Sequence, residues 1–447
     1  MMLAALVWLN YSECEAYLSD RASKGFNVVL AVGFTQIGID SPNRNGDLTF
    51  IDYDVTKPNE PYWAYIDSIV ELAWSKGIRI ALVPAWGKYV HSDTNAGSVI
   101  NITTAKPFGN FIGQRYPYLP KLLVADTNPW WMNKTAVKVD YATGGVPPTY
   151  DHVDWSDVYD ALAEGVTTGE REAISSTTWK PLMTIHPTNQ WFSGGPIALA
   201  STLVGDREWL TFDTSQSGHA DYPPNPPIPW WNARRGWEPV ELMYAAGEKS
   251  DGRTRPALDN EAHYEARYNN GKSINSYWNA TDVRIGSWQA VFSGAAGVTY
   301  GADNVMQMYV PGLFEPAGSG PARSWAEDIH LPGSVQMQYI KKVIEDRGDG
   351  SYFQRLPTQH VIIGDAATSD AGGSWIMVYT PTGMSMSIDT GILAGCNVSA
   401  SWYNPLDGSY SSFEFVPSEA TPKPITEFVP PTDEQHTDWV LVLEQQK

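Results

Sequence analysis

Two carboxylates in this chain stand directly after apolar steps that read as strands. Glu261 follows "RPALDN" (255–260), with Asp259, Asn260 and His263 around it; Asp126 follows "KLLVA" (121–125), with Thr127 and Asn128 after it. Hydrolysis of a glycosidic bond needs two such carboxyl groups flanking the bond. One protonates the departing oxygen and needs a raised pKa. The other attacks the anomeric carbon or activates water, and must stay ionised. Other readings compete. Asp259, Glu261 and His263 alternate, so an extended strand would turn all three to one face as metal donors. No His-Glu-x-x-His pattern accompanies them, and Asp-x-Glu-x-His alone is a weak signature. A serine nucleophile is disfavoured because no Gly-x-Ser-x-Gly turn occurs. Either acid could also serve only to cap a helix or to pair with an arginine.

Acids this far apart in sequence meet only if the fold brings strand ends together. Apolar runs alternate with helical patterns through residue 346. "FNVVLAVGF" (26–34), "IRIALVPAW" (78–86), "KLLVADT" (121–127), "PLMTIHP" (181–187), "EWLTFDTSQSGH" (208–219), "RPALDNE" (255–261) and "GVTYG" (297–301) read as strands. Helical patterns lie at 60–77, 104–116, 155–166, 238–249, 282–295 and 334–346. This order predicts an α/β fold, a (β/α)8 TIM barrel with long βα loops. A doubly wound sheet is the alternative, but no Gly-rich phosphate loop follows any strand. The first strand is weak, with only "LAALVWL" (3–9) available for it. Beyond a connector at 347–357, short strands separated by Gly, Pro, Asn and Asp predict a small antiparallel β-sandwich. The expected division is a catalytic barrel over 1–350 and the sandwich over 356–447. The aromatic and Gly/Pro segment 130–154 reads as a long functional loop.

In a barrel, the C-terminal ends of the strands open on one face. There the chain would present Phe34, Thr35 and Gln36, then Trp86, then Asp126, Thr127 and Asn128. His186, Gln216, His219, Asp259, Asn260, Glu261 and Tyr300 would complete the mouth. Strands four and seven face one another across eight strands, so Asp126 and Glu261 could converge on one sugar as the catalytic pair. Trp86, Asn128, His186, Gln216, His219, Asp259 and Tyr300 would bind it by stacking and hydrogen bonds.

The totals agree with a sugar as the partner. Nineteen Trp and 23 Tyr offer flat apolar faces with polar tips, which suit pyranose and furanose rings. With 30 Lys and Arg against 50 Asp and Glu, the net charge is −20, a field that disfavours nucleic acid and anionic membranes. No apolar run reaches the ~18 residues of a membrane span. Two cysteines, Cys14 and Cys396, are too few for a disulfide framework. The start "MMLAALVWLN" lacks the basic residues of a signal peptide, while five Asn-x-Ser/Thr sequons, at Asn10, Asn101, Asn133, Asn279 and Asn397, lean towards secretion. The chemistry calls for no cofactor and no metal.

The segments "LSDRASKGFNVVLAV", "PNEPYWAYIDSIVELAWSKGIRIALVPAWG", "LLVADTNP", "QSGH", "RPALDNEAHYE", "GVTYG" and "MQMYVPG" together carry a resemblance. The chain resembles the apiosidase-like family of bacterial and fungal glycoside hydrolases, formerly a domain of unknown function, with a C-terminal domain labelled collagen-binding. The resemblance implies a (β/α)8 barrel, a β-sandwich and a retaining mechanism, with Asp126 as acid/base and Glu261 as nucleophile. It implies an extracellular protein, and the family's characterised activity removes β-linked apiose from a plant pectin side chain. Three departures stand out. Where family members open strand one with Gly-Asp-Thr-Ala-Trp and a His-Arg pair, this chain has Met1 to Trp8, so the first strand is expected to be degenerate or truncated. Val124 and Ala125 replace two glycines before the Asp, and the 130–154 segment is longer than the bacterial pattern. The expected function is exo-acting cleavage of a terminal sugar, apiose-like or another furanose or pyranose, from plant or microbial polysaccharide side chains. A non-catalytic carbohydrate- or matrix-binding protein on a degenerate barrel is the alternative. The sandwich is expected to stabilise the barrel or bind sugar.

Overall fold

The computed structural model describes residues 3–4, 6–33, 38–91, 99–127, 130–132, 152–187, 199–218, 237–247, 255–271, 273, 276–313, 315, 319–361, 366–395, 397–418, 425–431 and 438–446. Five strands form one parallel sheet in the order β1 (Leu3–Ala4), β2 (Val28–Val32), β3 (Arg79–Val83), β4 (Lys121–Leu122) and, after a short antiparallel ribbon of β5 (Trp130–Met132) and β6 (His152–Asp154), β7 (Met183–Thr184). Further parallel pairs join β8 (Asp213–Ser215) to β9 (Ala257–Asp259), and β10 (Tyr264–Glu265) to β11 (Gly301–Ala302). Thr214 Oγ1 donates to Ile185 O at 2.6 Å, and Ala296 N to Ala257 O at 2.7 Å, so neighbours continue in chain order. β2 and β3 are buried on both faces after their first residue, which is why they read as unbroken Val, Ile, Leu and Ala runs.

The expected degeneracy of the first strand is reduced to a question of length. Leu3 and Ala4 register with Leu30 and Ala31 of β2, parallel, before a turn of 3-10 helix over Leu6–Trp8. Strand pairing uses backbone groups, so it survives replacement of the family's side chains.

The helices follow their apolar spacing. Glu60–Ser75 buries Tyr62, Trp63, Ile66, Ile69, Leu72 and Ala73, three or four residues apart, and stops at Gly77 with φ +77°. Helices Ala105–Arg115 and Ser156–Ile174 lead into β4 and β7, and they touch backbone to backbone. A Cβ on Gly113 would lie 2.3 Å from Val166 O, and one on Gly169 would lie 2.2 Å from Asn110 O. Behind them Lys121, fully buried, pairs with Glu170, whose other oxygen accepts from Trp179 Nε1. The two strands that deliver Asp126 and His186 are thus set by a close helix pair.

At the N-terminal ends of the strands lies an apolar cavity of about 470 Å³, walled by Phe26, Leu122, Leu182, Phe212, Leu258 and Val298. These residues come from or adjoin six different strands, so the strand starts meet at this cavity and the strand ends lie on the opposite side.

The C-terminal unit holds a six-stranded antiparallel sheet in the order β12 (Arg355–Pro357), β13 (Ala366–Asp370), β14 (Trp375–Thr380), β19 (Trp439–Gln445), β16 (Val398–Tyr403) and β17 (Tyr410–Phe413). A second sheet pairs β15 (Met386–Asp389) with β18 (Ile425–Phe428), and Ile376, Val378, Ile388, Phe428 and Leu441 share the core between them. The sandwich packs on helix Ala280–Phe292. Arg284 forms a bidentate pair with Asp438, both N–O distances 2.7 Å, and Trp288 stacks on Tyr379 at 5.6 Å. Cys14 is buried and unbridged, while Cys396 lies outside the described residues. Among the described residues no helix is long and apolar enough to cross a membrane.

Candidate active site

Asp126 is presented by a strained backbone. Ala125 bridges to Trp86 and Thr127 to Pro187, and between these anchors Asp126 takes φ +43°. A left-handed conformation at a residue with a Cβ costs on the order of 1–3 kcal/mol and persists only when its surroundings impose it. Here they do. Ala125 N donates to Ala85 O at 2.9 Å, Gly87 N to Ala125 O at 2.7 Å, and His186 N to Val124 O at 2.9 Å. Gly87 also leaves space, since a Cβ there would stand 2.5 Å from Asp126 O. The next residue is pinned by its side chain. The Thr127 hydroxyl meets that of Tyr159, which in turn lies 3.0 Å from His91 Nε2. This buried Thr–Tyr–His group behind Asp126 was not foreseen from sequence.

Glu261 is placed by a clasp between two loops. Asp259 accepts from Ser217 N at 3.1 Å and from Ser217 Oγ at 2.6 Å. Gly218 N donates to Glu261 O at 2.9 Å, and His263 Nδ1 lies 2.7 Å from Gly218 O. His263 is stacked flat on Trp278, centroids 3.9 Å apart. The alternation of Asp259, Glu261 and His263 therefore sends its members to different partners, and they do not share one ion. Asp259 is 4% exposed and holds Ser217, so it positions the loop and does not reach into the cleft as a sugar ligand. Burial pushes its pKa up to about 6, against the two Ser217 hydrogen bonds.

The fold brings Asp126, His186 and Glu261 together. One oxygen or nitrogen of each lies within 4.8 Å of the others. His186 is fully buried; its Nε2 stands 3.2 Å from Glu261 Oε2 and its Nδ1 4.0 Å from Asp126 Oδ1. The expectation that His186 touches sugar is replaced by an imidazole set between two carboxylates. Neither ring nitrogen makes a hydrogen bond, so the ring meets the two acids through charge and proximity, and no metal is assigned here. Glu261 keeps 10% of its side chain exposed and Asp126 49%, so both can meet a ligand from the open side. Loss of hydration and then the Glu261 charge push Asp126 up to about 6, against His186 and Gln216. Its half-exposed surface tempers the first cause; the like-charge repulsion rests on the short separation. His186 is shifted upward: burial opposes its charge, but the Glu261 contact and the two carboxylate charges outweigh it.

The remaining expected residues divide. Gln216 Nε2 lies 3.5 Å from Asp126 Oδ1, beside the acid. Trp86 is 7% exposed with its indole N–H unpartnered, and the Asn260 amide, 2% exposed, has neither its oxygen nor its nitrogen paired. Such buried groups are satisfied by ligand or water. Tyr300 is not at the mouth: its hydroxyl donates to Glu265 Oε2 at 2.6 Å, and its ring lies 5.9 Å from that of Phe26. The tyrosine beside Glu261 is Tyr264, 3% exposed, whose hydroxyl is held protonated by burial and by that adjoining carboxylate. The signal for it is faint. Gly301 registers across from Tyr264, where a Cβ would fall 2.1 Å from the ring. Asn128, His219, the Phe34–Gln36 segment and most of the 130–154 loop lie outside the described residues.

Parallel strands with a close pair of acids beyond their C-terminal ends define a glycoside hydrolase of TIM-barrel type, and solved structures agree. A glycoside hydrolase family 5 protein from Bacteroides vulgatus ATCC 8482 matches at TM-score 0.79 and 25% identity, over 100% of this chain and 90% of that one. A second solved glycoside hydrolase matches at TM-score 0.77 and 24% identity, over 100% of this chain and 93% of that one. No curated protein matches. The family model described as "Apiosidase-like, catalytic domain" matches residues 4–348, and that described as "Putative collagen-binding domain of a collagenase" matches residues 356–444. The chain belongs to the apiosidase-like family.

Proposed function

We propose that this glycoside hydrolase is an exo-acting, retaining enzyme that removes a terminal sugar from plant or microbial polysaccharide side chains. The supporting observation is the separation of its acids. Retaining enzymes hold their carboxyl groups about 5–5.5 Å apart, and inverting ones about 6.5–9.5 Å, to admit a water. An oxygen of Asp126 and one of Glu261 approach within 4.8 Å, which supports the retaining class.

Glu261, kept ionised beside His186, attacks the anomeric carbon as Asp126 gives its proton to the departing oxygen. Water then attacks the glycosyl ester, Asp126 takes its proton, and Glu261 is released as carboxylate. Trp86, Gln216 and Asn260 offer a ring face and polar groups to orient the sugar. An apiose-like furanose is the first substrate to try, on the family's characterised activity, with an extracellular location to match. The sandwich acts as a buttress, through Arg284 and Asp438, to the helix between β10 and β11.

A panel of nitrophenyl apioside, galactofuranoside and arabinofuranoside tests the reading. The parent should release nitrophenol with retained anomeric configuration. Asp126→Ala should lose about 10²–10⁴-fold on poor leaving groups and far less on dinitrophenyl glycosides, which need no acid. An inverted product would overturn the mechanism. Saturable sugar binding without any product would return the chain to the role of a binding protein.

A further inference from the structure

Resting on that reading, we propose that His186 is a positioning residue that passes its charge pairing from Glu261 to Asp126 between the two half-reactions. The geometry is that of a bridge. The ring is fully buried, with Nε2 3.2 Å from Glu261 Oε2 and Nδ1 4.0 Å from Asp126 Oδ1. Its ring is wholly enclosed and its own backbone is tied on both sides. His186 N donates to Val124 O at 2.9 Å, and His186 O accepts from Thr127 N at 3.3 Å. The same strand that presents Asp126 therefore holds the imidazole at fixed distance from it.

Charge then decides the sequence of events. Before reaction, Glu261 is ionised and Asp126 protonated, and the imidazolium pairs with the nearer, charged acid. In the first half-reaction a Glu261 oxygen bonds the anomeric carbon, the glycosidic C–O bond breaks, and the Asp126 proton leaves with the aglycone oxygen. Glu261 is now a neutral ester and Asp126 carries the negative charge. The imidazolium has not moved or lost its proton, yet its only charged neighbour in the pair is Asp126. It thereby stabilises Asp126 as the base that accepts the proton of the attacking water. When the ester C–O bond breaks, the charge returns to Glu261 and the proton to Asp126. The other groups acting on this pair are Gln216, whose amide donates to Asp126, and Tyr264, whose hydroxyl adjoins Glu261. Arg267 also favours the Asp126 anion, though its guanidinium is already paired with Asp303 at 2.7 Å. Tyr264 also feels both carboxylates, but its hydroxyl is held protonated, so His186 is the one titratable ring set between the two acids at 3.2 and 4.0 Å.

Two measurements on the full chain test the proposal. First, the His186 ring is titrated by NMR with carbon-labelled histidine, assigned through His186→Gln. Its pKa should fall by a unit or more in Glu261→Gln, and by less in Asp126→Asn, in line with the two distances. A pKa indifferent to both variants overturns the proposal, and this arm needs no substrate. Second, His186→Gln is assayed on the dinitrophenyl glycoside the parent cleaves fastest. kcat, limited by hydrolysis of the ester, should fall tenfold or more, and kcat/KM, which reports formation of the ester, should fall less. A pre-steady-state burst should grow accordingly. Equal losses in kcat and kcat/KM would mark general damage and sink the charge transfer, as would a variant with parental values. If the parent itself shows no burst and no covalent ester, the retaining reading fails first, and the titration shows whether the bridge stands without it.

Discussion

The mouth of the barrel and its seam with the sandwich both bury charge, and they do so in opposite ways. At the seam, Arg284 and Asp438 are 1% and 0% exposed and form a closed account of donors and acceptors. Both Asp438 oxygens take Arg284, one also takes Tyr379 Oη at 3.1 Å, and Gln336 satisfies a further guanidinium N–H at 2.7 Å. At the mouth, two carboxylates share one imidazole, an indole N–H and an amide lack partners, and the acid stands on left-handed backbone. The seam is balanced and holds two domains in register. The mouth is left unbalanced: loss of hydration and the nearby Glu261 charge push Asp126 up to about 6 although His186 opposes them.

The largest effect that would break this contrast is at the mouth. If Glu261 is the nucleophile as proposed, Glu261→Ala should lower kcat/KM by at least about 10³-fold, while thermal stability stays near that of the parent. A variant that loses stability and keeps activity would reverse the assignment. At the seam the converse holds. Arg284→Met leaves Asp438 buried without its cation and should cost about 3–5 kcal/mol in urea unfolding, with kcat of the folded fraction retained. Equal loss of activity would show that the sandwich acts on the chemistry.

A smaller effect sharpens how the mouth is built. Gly169→Ala sets a methyl against Asn110 O and should cost about 1–3 kcal/mol, with a fall in kcat because the helix pair aligns β4 with β7. Loss of stability without change in kcat would show that the strands hold the site unaided.

The smallest is the response to pH. Asp126 and Asp259 have raised folded-state pKa values, each about 6, so the folded chain gains stability from them as pH falls through 6 towards the unfolded value. His186, also raised, contributes fully below its unfolded value and loses that contribution as pH rises through its folded one. All three favour acid, so Tm should be higher near pH 5.5 than near pH 8, and less so in His186→Gln. kcat/KM on poor leaving groups should decline above about pH 6, where Asp126 gives up its proton. A flat profile across that range would remove Asp126 as the acid.

Alternating apolar runs and helical patterns placed β2, β3, β4 and β7 to within a few residues, because burial on both faces leaves a continuous hydrophobic signature. The sandwich was legible for the related reason that short strands need Gly, Pro, Asn and Asp between them. Asp126 and Glu261 were legible as acids immediately after such runs. What each neighbouring polar group does was not. Asp259 lies two residues before Glu261 in the same stretch, yet it turns to Ser217. Tyr300 closes the strand read at 297–301 and was expected at the mouth, yet it serves Glu265.

The sequence alone determined that parallel strands would form and that two carboxylates would follow them, since periodicity and residue type are local properties. Only the tertiary structure decided that Asp126 and Glu261 share His186, that Asp259 and His263 clasp a loop, and that Arg284 finds Asp438. Those pairings join residues far apart in the chain, and their strength depends on distance and on the loss of water, neither of which exists until the strands have packed.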